Sequence, residues 1–206
     1  MSDILVANHL RKSFGSLVAV HELSFEVRAG EILGMMGPNG AGKTTVFNLL
    51  TGILKPDAGA ITFNGVDITH ESPSKRCQRG IGRTYQIPRP FDKMSVFENL
   101  LVAAVHGGGL REKKARGQIK DILGLIGLFS VKHRLSGGLP LLDRKRLELG
   151  RALATQPSLV LLDEVAGGLT EGETEQLLKI VKEMQKRGVT IVWIEHILKM
   201  VCYCEG

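Results

Sequence analysis

The stretch Gly37-Pro-Asn-Gly-Ala-Gly-Lys-Thr44 fits the phosphate-binding pattern G-x-x-x-x-G-K-[ST] at every fixed position. The apolar run before it, residues 31–36, predicts a buried strand, and residues 43–52 predict a helix. Glycines let successive N–H groups turn inward toward phosphate oxygens, and the helix N-terminus adds the positive end of its dipole. A glycine-rich turn with a chance lysine is the alternative, but the flanking strand and helix favour a nucleotide site in an α/β fold. In such a site Lys43 reaches the outer phosphates and the Thr44 hydroxyl ligates Mg²⁺.

Length and composition predict a soluble globular protein. The 206 residues suffice for one core with a small satellite subdomain, and hydrophobic and charged contents of 43% and 23% are ordinary. No apolar run approaches the length of a membrane span, and the N-terminus lacks the regions of a secretory signal. The three cysteines, Cys77, Cys202 and Cys204, predict reduced thiols because they are odd in number and have no His/Cys cluster of zinc-ligand spacing.

The net charge of +6 raises the question of nucleic-acid binding. The excess lies mainly in residues 111–120 and 144–146, and no aromatic residues interleave with these clusters. A stacking platform for bases is therefore not expected. We predict that both clusters are solvated helix faces, with contact to anionic lipid or a partner protein as the alternative.

The predicted secondary structure changes from mostly strands to helices at Pro88-Arg-Pro90, which interrupts the chain after Gln86. Strands are predicted at residues 3–7, 17–27, 31–36, 58–65, 81–86, 158–163 and 189–194, and helices at 43–52, 95–105, 112–127, 143–155 and 173–187. The strand at 58–65 ends in an Asn-Gly turn, and Ser95 with Glu98 forms a candidate capping box. We therefore expect an α/β nucleotide-binding core of residues 1–86 and 151–206, interrupted by a helical subdomain of residues 87–150.

Polar residues follow two later strands. Asp163 and Glu164 end one apolar run, where a carboxylate can hold Mg²⁺ through water and its neighbour can take a proton from an attacking water. An acidic pair after a strand is by itself often a surface turn, and a lone histidine such as His196 is often structural. Strands that end at Gly37, Asp163 and His196 would bring these residues to one edge of a parallel sheet, where ligands bind. Gln86, which could contact metal or water, is otherwise a turn residue.

In order and content the motifs resemble those of the ATP-binding cassette (ABC) ATPases over essentially the whole chain. Residues 37–44, Gln86, Asp163-Glu164 and His196 match the Walker A, Q-loop, Walker B and switch-histidine motifs. Within that family, Gly80-Ile-Gly-Arg-Thr-Tyr-Gln86 and Phe97-Glu-Asn-Leu-Leu-Val-Ala103 resemble branched-chain amino acid importers. The resemblance implies a P-loop NTPase core with an N-terminal antiparallel β part and a helical subdomain.

The resemblance also implies a set of site residues and partners. Glu164, His196 and Gln86 would be catalytic, and Thr44, Gln86 and Asp163 would hold Mg²⁺. ATP would be bound by Phe14, stacked on adenine, and by Gly37, Pro38, Asn39, Gly40, Ala41, Gly42, Lys43, Thr44 and Thr45; a core position is the alternative for Phe14. The implied partners are a second ATPase subunit, identical or not, and membrane permeases with a substrate-binding protein, at the cytoplasmic face of the inner membrane. No nucleic acid is expected.

The signature motif, LSGGQ in this family, departs from the pattern. Leu135-Ser-Gly-Gly138 resembles it, but Leu139-Pro140 follows where Gln is expected, and Ser136 lies 27 residues before Asp163 instead of roughly two dozen. Counting back from Arg151-Ala-Leu153 places Pro140 in the serine position instead. Either Ser136 is used and a four-residue insertion follows it, or the signature is degenerate, and Pro140 then offers neither hydroxyl nor N–H to a phosphate. We favour the second alternative, because the predicted helix at residues 143–155 continues the family pattern without a gap.

Two rival functions follow from these observations. The altered signature suits a nucleotide-binding subunit that scarcely hydrolyses ATP, and the basic charge suits an ABC ATPase of nucleic-acid metabolism. Val165 and Thr170 are smaller departures, at positions where the family has proline and Asp or Asn. Because the family continues well beyond the switch histidine, residues 197–206 lead us to expect a truncated chain.

Overall fold

The computed structural model describes residues 2–195, which form two β-sheets and six α-helices. The first sheet is antiparallel and has the order β2-β1-β4-β5. Its strands are β1 (Asp3–Phe14), β2 (Leu17–Arg28), β4 (Ala58–Phe63) and β5 (Val66–Asp67). The predicted Asn-Gly turn joins β4 to β5, and Asn64 and Gly65 both have positive φ, as a two-residue hairpin turn requires. The expected N-terminal antiparallel part is confirmed.

The second sheet is parallel, with the order β3-β8-β7-β6. It consists of β3 (Ile32–Met35), β6 (Ile81–Arg83), β7 (Leu159–Asp163) and β8 (Thr190–Ile194). Every residue of β7 and β8 is buried, because helices and the first sheet cover both faces. This explains why both strands read as continuous apolar runs and not as alternating patterns.

The six helices include the predicted ones and one that sequence patterns missed. They are α1 (Lys43–Leu50), α2 (Pro73–Gln78), α3 (Val96–Val102), α4 (Glu112–Leu125), α5 (Leu141–Ala154) and α6 (Glu171–Lys186). A π-helical turn, Ala103–Gly107, extends α3, and 3₁₀ turns lie at Phe129–Val131 and Ser136–Gly138. The Ser95–Glu98 capping box is present at the start of α3. The short helix α2 went unpredicted, since six polar-rich residues carry no apolar period.

The pleat of the parallel sheet divides the apolar interior in two. Leu159 and Leu161 of β7 face a cluster with α1 and the antiparallel sheet, while Val160 and Leu162 face a cluster with α3 to α6. Helix α5 belongs to the second cluster along its whole length and continues to Ala154, past the expected boundary at residue 150. The proposed division into residues 1–86 with 151–206 and residues 87–150 thus has one boundary inside α5.

The two basic clusters differ in their surroundings. Arg111, Lys113, Lys114, Arg116 and Lys120 are all exposed on or beside α4, as predicted. The prediction is wrong for residues 144–146. Lys145 is buried, and Arg144 and Arg146 form ion pairs with Asp92 and Asp143. Across residues 2–195 no helix has both the length and the apolar character that crossing a bilayer requires.

Candidate nucleotide site

The phosphate loop (residues 37–44) connects β3 to α1, and glycine is required within it. Gly42 is the N-cap of α1 with φ +85°, and a Cβ there would lie 2.2 Å from the carbonyl oxygen of Ala19 in β2. Gly40 has a similar φ of +82°, but a Cβ there would meet nothing within 4 Å. The loop thus packs against β2 at one glycine and needs backbone freedom at both.

Lys43 and the start of α1 together form a candidate anion-binding site. The Lys43 Nζ donates to the carbonyl oxygens of Gly37 at 2.6 Å and Pro38 at 2.9 Å, so the ammonium group is folded back over the loop. Helix α1 has neither a side-chain N-cap hydrogen bond nor an acidic residue in its first turn. Its N-terminal N–H groups and dipole are therefore offered to a bound anion, and phosphate oxygens are stronger acceptors than the two carbonyls.

A cavity of about 340 Å³ adjoins the phosphate loop. Phe14 is 48% exposed at its rim, beside Leu17 and Val18. The core position considered for Phe14 is therefore excluded. The Nζ of Lys12 lies over the Phe14 ring, 5.8 Å from its centroid, and the exposed part of the ring is available to stack on a base. The remaining lining comprises Ala19, Asn39, Gly40, Ala41, Gly42, Lys43, Thr44, Thr45 and Glu164. Leu17 and Val18 were not predicted, because apolar residues at a strand start normally indicate core.

Asp163 ends β7 at the same edge of the sheet as the phosphate loop. The parallel register pairs Met35 of β3 and Asp163 of β7 with the same residue, Ile194 of β8. The expected convergence of Gly37 and Asp163 is therefore present. His196 lies outside the described residues. Its neighbour Glu195 is buried and accepts a hydrogen bond from the backbone N–H of Ala166 at 3.2 Å.

Arg83 is a residue of this site that the sequence patterns did not single out. Its Nη2 lies 3.0 Å from Oδ2 of Asp163, and both side chains are only 7% exposed. The guanidinium lies over the rings of Phe47 and Tyr85, at 5.6 and 5.0 Å from their centroids. It also donates to Oδ1 of Asn48 in α1 at 2.6 Å. The signal available in the sequence was a basic residue inside a short buried strand, which requires a partner.

Gln86 and Glu164 contact each other directly. The Gln86 Nε2 donates to Oε2 of Glu164 at 2.6 Å, a hydrogen bond strengthened by the carboxylate charge. Glu164 has a φ of +45°, which is rare outside glycine, and its backbone N–H donates to the carbonyl oxygen of Ile194. The backbone at Glu164 is thus bent so that its carboxylate reaches the pocket rim.

The residues at this edge fit Mg²⁺ accompanied by phosphates. Thr44 is exposed beside Lys43, and Asp163 supplies a carboxylate, so both offer the oxygen ligands that Mg²⁺ prefers. No group of three His, Cys, Asp or Glu side chains that could hold a metal ion occurs in the described part of the chain. A cation bound through one or two protein oxygens, with phosphate and water completing its shell, matches this donor set.

A second cavity, of about 320 Å³, lies between the core and the helices and is called the groove below. Its lining comes from the residues after α1 and from α2, β6, the π-helical turn and α5: Thr51, Ile53, Pro73, Arg76, Cys77, Ile81, Gly82, Arg83, Tyr85, Ala103, Glu148, Arg151, Ala152 and Thr155. Burial raises the pKa of the Cys77 thiol and of the Glu148 carboxyl. Arg76, fully buried, donates to the carbonyl oxygens of Leu49, Leu50 and Thr69, and so connects the C-terminus of α1 to the groove.

The two candidates for the signature serine lie in different environments. Ser136 is fully buried; its Oγ donates to the carbonyl oxygen of Phe91 at 2.8 Å and accepts from the Asn99 amide at 3.2 Å. Pro140 is exposed and is the N-cap of α5, with no side-chain cap hydrogen bond. These contacts favour the degenerate reading, because the Ser136 hydroxyl is already bonded inside the subunit.

Comparison with known proteins gives consistent similarities. The family model described as ABC transporter matches residues 20–167. The high-affinity branched-chain amino acid transport ATP-binding protein LivG of Salmonella typhimurium is 38% identical, over 96% of this chain and 84% of its own. A probable LivG of Methanocaldococcus jannaschii is 33% identical over 97% and 82%. The lipopolysaccharide export protein LptB of Haemophilus influenzae is 33% identical over 94% and 80%.

Solved structures show the same similarity. An ATP-binding cassette of an ABC transporter in its ADP conformation superposes with a TM-score of 0.91 at 32% identity, covering 100% of this chain and 86% of that one. A nucleotide-free cassette gives 0.90 at 32% identity, over 98% and 85%. A dimeric cassette bound to ADP and phosphate gives 0.85 at 20% identity, over 98% and 91%, a likeness of fold alone.

Proposed function

Because the chain belongs to the ABC transporter family of ATP-binding subunits, we propose that it powers an importer of branched-chain or related amino acids. LivG proteins of two organisms, similar over most of this chain, support this substrate class. The work of the subunit is ATP hydrolysis at the cytoplasmic face of the membrane, in a dimer of ATPase subunits attached to permeases and supplied by a substrate-binding protein.

One observation carries the hydrolytic part of the proposal: the carboxylate of Glu164 lines the same cavity as the phosphate loop and Lys43. Lys43 binds the outer phosphates when it exchanges its two carbonyl acceptors for phosphate oxygens. Thr44 and Asp163 would hold Mg²⁺, with Gln86 beside them, and the ion would supply positive charge against the negative charge that develops on the phosphoryl group. Glu164 accepts a proton from the attacking water, and the motif match assigns His196, outside the described residues, to the γ-phosphate.

The groove is the proposed seat of a permease helix. It joins the core to α5, and large apolar side chains near it are exposed, among them Ile53 at 48% and Tyr85 at 44%. An apolar helix that fills the groove would cover these side chains, as helix-in-groove recognition requires. Movement of α5 relative to the core would then follow ATP binding and release.

A Glu164→Gln substitution in the assembled transporter tests the proposed function. It removes the proton acceptor but keeps the shape of the side chain, so we expect turnover to fall by about 100-fold or more while ATP still binds. Phosphate release and nucleotide binding are measured separately. Glu175→Gln, at an exposed residue of α6 that does not line the cavity, is the matched control. Hydrolysis that survives Glu164→Gln contradicts the assignment.

A subunit that binds ATP but hardly hydrolyses it is the second candidate, favoured by Pro140 at the exposed start of α5. A proline there presents no hydroxyl to a nucleotide held by a partner subunit. The wild-type complex discriminates between the two candidates. Micromolar ATP affinity combined with turnover no greater than that of Glu164→Gln would support this candidate against hydrolysis.

A further inference from the structure

Arg83 and Asp163 form an ion pair at the carboxyl ends of the neighbouring strands β6 and β7. A carboxylate that is only 7% exposed needs a partner of opposite charge, because removing it from water is otherwise unfavourable. Among residues 2–195, Arg83 is the one cation within ion-pair distance of Asp163. The ammonium group of Lys43 is instead bonded to the carbonyl oxygens of Gly37 and Pro38. Arg83 is therefore the counter-ion of Asp163 in this structure.

The guanidinium of Arg83 is held from several sides. Its Nη1 donates to Oδ1 of Asn48 in α1 at 2.6 Å, and the group lies over the rings of Phe47 and Tyr85. Its Nε is buried and has no hydrogen-bond partner in the described part of the chain, so the two rings stand in for water there. Arg83 thus connects the helix that follows the phosphate loop to the strand that ends at Asp163, and its charge has a fixed place.

Asp163 is held by its backbone as well as by its side chain. Its N–H donates to Oγ1 of buried Thr84 at 3.3 Å, and the Thr84 N–H donates to the carbonyl oxygen of Leu161 in β7 at 3.0 Å. The end of β7 is therefore fixed to the residue that follows Arg83. A cation that approaches the Asp163 carboxylate also meets the positive charge of Arg83.

Two cations thus compete for one carboxylate: the guanidinium of Arg83 and the divalent Mg²⁺ that Asp163 and Thr44 are proposed to hold. The Arg83 charge opposes a metal ion beside Asp163, and this repulsion is weakly screened because both side chains are nearly buried. Phosphates bound at the start of α1 carry negative charge that offsets the guanidinium. The metal ion is therefore expected to bind together with nucleotide and not before it.

We propose that Arg83 is a positioning residue that makes Mg²⁺ binding at Asp163 depend on bound nucleotide. Without nucleotide, Arg83 satisfies the buried carboxylate and opposes the metal ion. With nucleotide, the phosphate charge offsets this opposition, and the same guanidinium keeps the Asp163 carboxylate in place. This inference rests on the proposed function, which places ATP phosphates on the loop and Mg²⁺ beside Asp163.

Thermal unfolding of the full chain tests the proposal. Tm is measured in EDTA and in about 10 mM MgCl₂ at matched ionic strength, each with and without ATP. MgCl₂ is expected to raise the Tm of the wild type only when ATP is present. Arg83→Gln removes the opposing charge, so MgCl₂ alone should raise its Tm by about 2 °C or more. Arg83→Lys keeps a positive charge and should behave as the wild type.

Arg151→Gln is the matched control for the loss of a paired arginine. Arg151 also pairs with a carboxylate, Glu148, that is 7% exposed, and its guanidinium lies 5.1 Å from the centroid of the Phe91 ring. Glu148, however, lies within α5 and not at the strand end that carries Asp163. Arg151→Gln should therefore lower Tm without a response to MgCl₂ alone, whereas a purely structural role of Arg83 predicts the same behaviour for Arg83→Gln.

Adding Asp163→Asn to Arg83→Gln shows whether the response arises at Asp163, since the double variant should no longer respond to MgCl₂ alone. A response that persists overturns the proposal. So does a wild type that MgCl₂ stabilises without ATP, or an equal response of Arg151→Gln. Should Arg83→Gln be unfolded, Arg83→Met replaces it with the same expectation, because methionine keeps the contacts with the two rings.

The proposed function fails by a different measurement. If the assembled transporter does not hydrolyse ATP while the responses to MgCl₂ are as expected, the proposed function is refuted and the role of Arg83 is supported. If the transporter hydrolyses ATP and Arg83→Gln shows no response to MgCl₂ alone, only the role of Arg83 is refuted.

Discussion

At the residue scale, the nucleotide site depends on close approaches that single side chains decide. Glycine at position 42 lets the start of α1 pack on the carbonyl oxygen of Ala19, and Lys43 closes over the loop through Gly37 and Pro38. Arg83 neutralises Asp163 in a nearly dry environment. Removing one partner of such a contact lowers the stability of the fold, because the other partner is then left buried and unsatisfied.

Gly42→Ala and Gly40→Ala separate backbone strain from steric overlap. Both glycines have φ near +85°, so alanine at either position costs about 1 to 2 kcal/mol of backbone strain. Only at position 42 does the new Cβ overlap with Ala19, which should add about 2 kcal/mol or more. Urea unfolding of the two variants measures the difference. Equal losses of stability would show that the contact with β2 is not maintained in solution.

At the element scale, capping determines where α6 begins. Thr170 accepts from the Glu173 N–H, and the Glu173 carboxylate accepts from the backbone N–H and the hydroxyl of Thr170, which completes a capping box. Thr170 stands where the family pattern has Asp or Asn, and a threonine also serves as an N-cap. Threonine in place of Asp or Asn therefore leaves the N-cap of α6 intact.

Thr170→Ala should lower the free energy of unfolding by about 1 kcal/mol at neutral pH. Hydrogen bonds from the Thr170 backbone and hydroxyl lower the pKa of Glu173 below its ordinary 4.5. Since the folded state has the lower pKa, Glu173 stabilises the fold above pH 4.5 and loses that contribution as pH falls through the lowered value. The stability difference between wild type and Glu173→Ala should therefore shrink on acidification, and a pH-independent difference would contradict this role. Denaturant titrations between neutral and acidic pH measure it.

At the scale of the whole molecule, residues 135–140, where the signature motif is expected, bear on contact with a second subunit and not on this subunit's own phosphate loop. Pro140 is exposed at the start of α5, whereas the Ser136 hydroxyl is bonded to Phe91 and Asn99 inside the helical part. In the proposed dimer, the face that this chain offers to the partner's nucleotide therefore lacks a hydroxyl at position 140.

Pro140→Ser should raise ATP turnover of the assembled transporter by about twofold or more, because it adds a hydroxyl at the N-cap of α5. Ser136→Ala should instead lower stability by about 1 kcal/mol and leave turnover per folded complex unchanged. Phosphate release and thermal unfolding are measured on the same preparations. If Ser136→Ala abolishes turnover while Pro140→Ser has no effect, Ser136 is the signature serine and the degenerate reading is wrong.

Local patterns predicted the larger elements because their physical causes are local. Fully buried strands such as β7 read as apolar runs, and helices of two or more turns show an apolar period. The two-residue strand β5 and the six-residue helix α2 lack such a pattern. The basic cluster at residues 144–146 was misjudged, because the burial of Lys145 depends on how α5 packs and not on its neighbours in sequence.

The sequence by itself determined the chemistry of the site: a loop that binds phosphates, a following helix that begins at Lys43, and an acidic pair at the end of an apolar strand. These features depend on residue type and spacing over a few residues, so no distant contact is needed to recognise them. Only the tertiary structure decided three contacts of the site. Arg83 pairs with Asp163, the Gln86 amide donates to Glu164, and Arg151 donates to the carbonyl oxygen of Arg89. These partners are 62 to 80 residues apart in the chain, and their meeting is set by sheet order and helix packing.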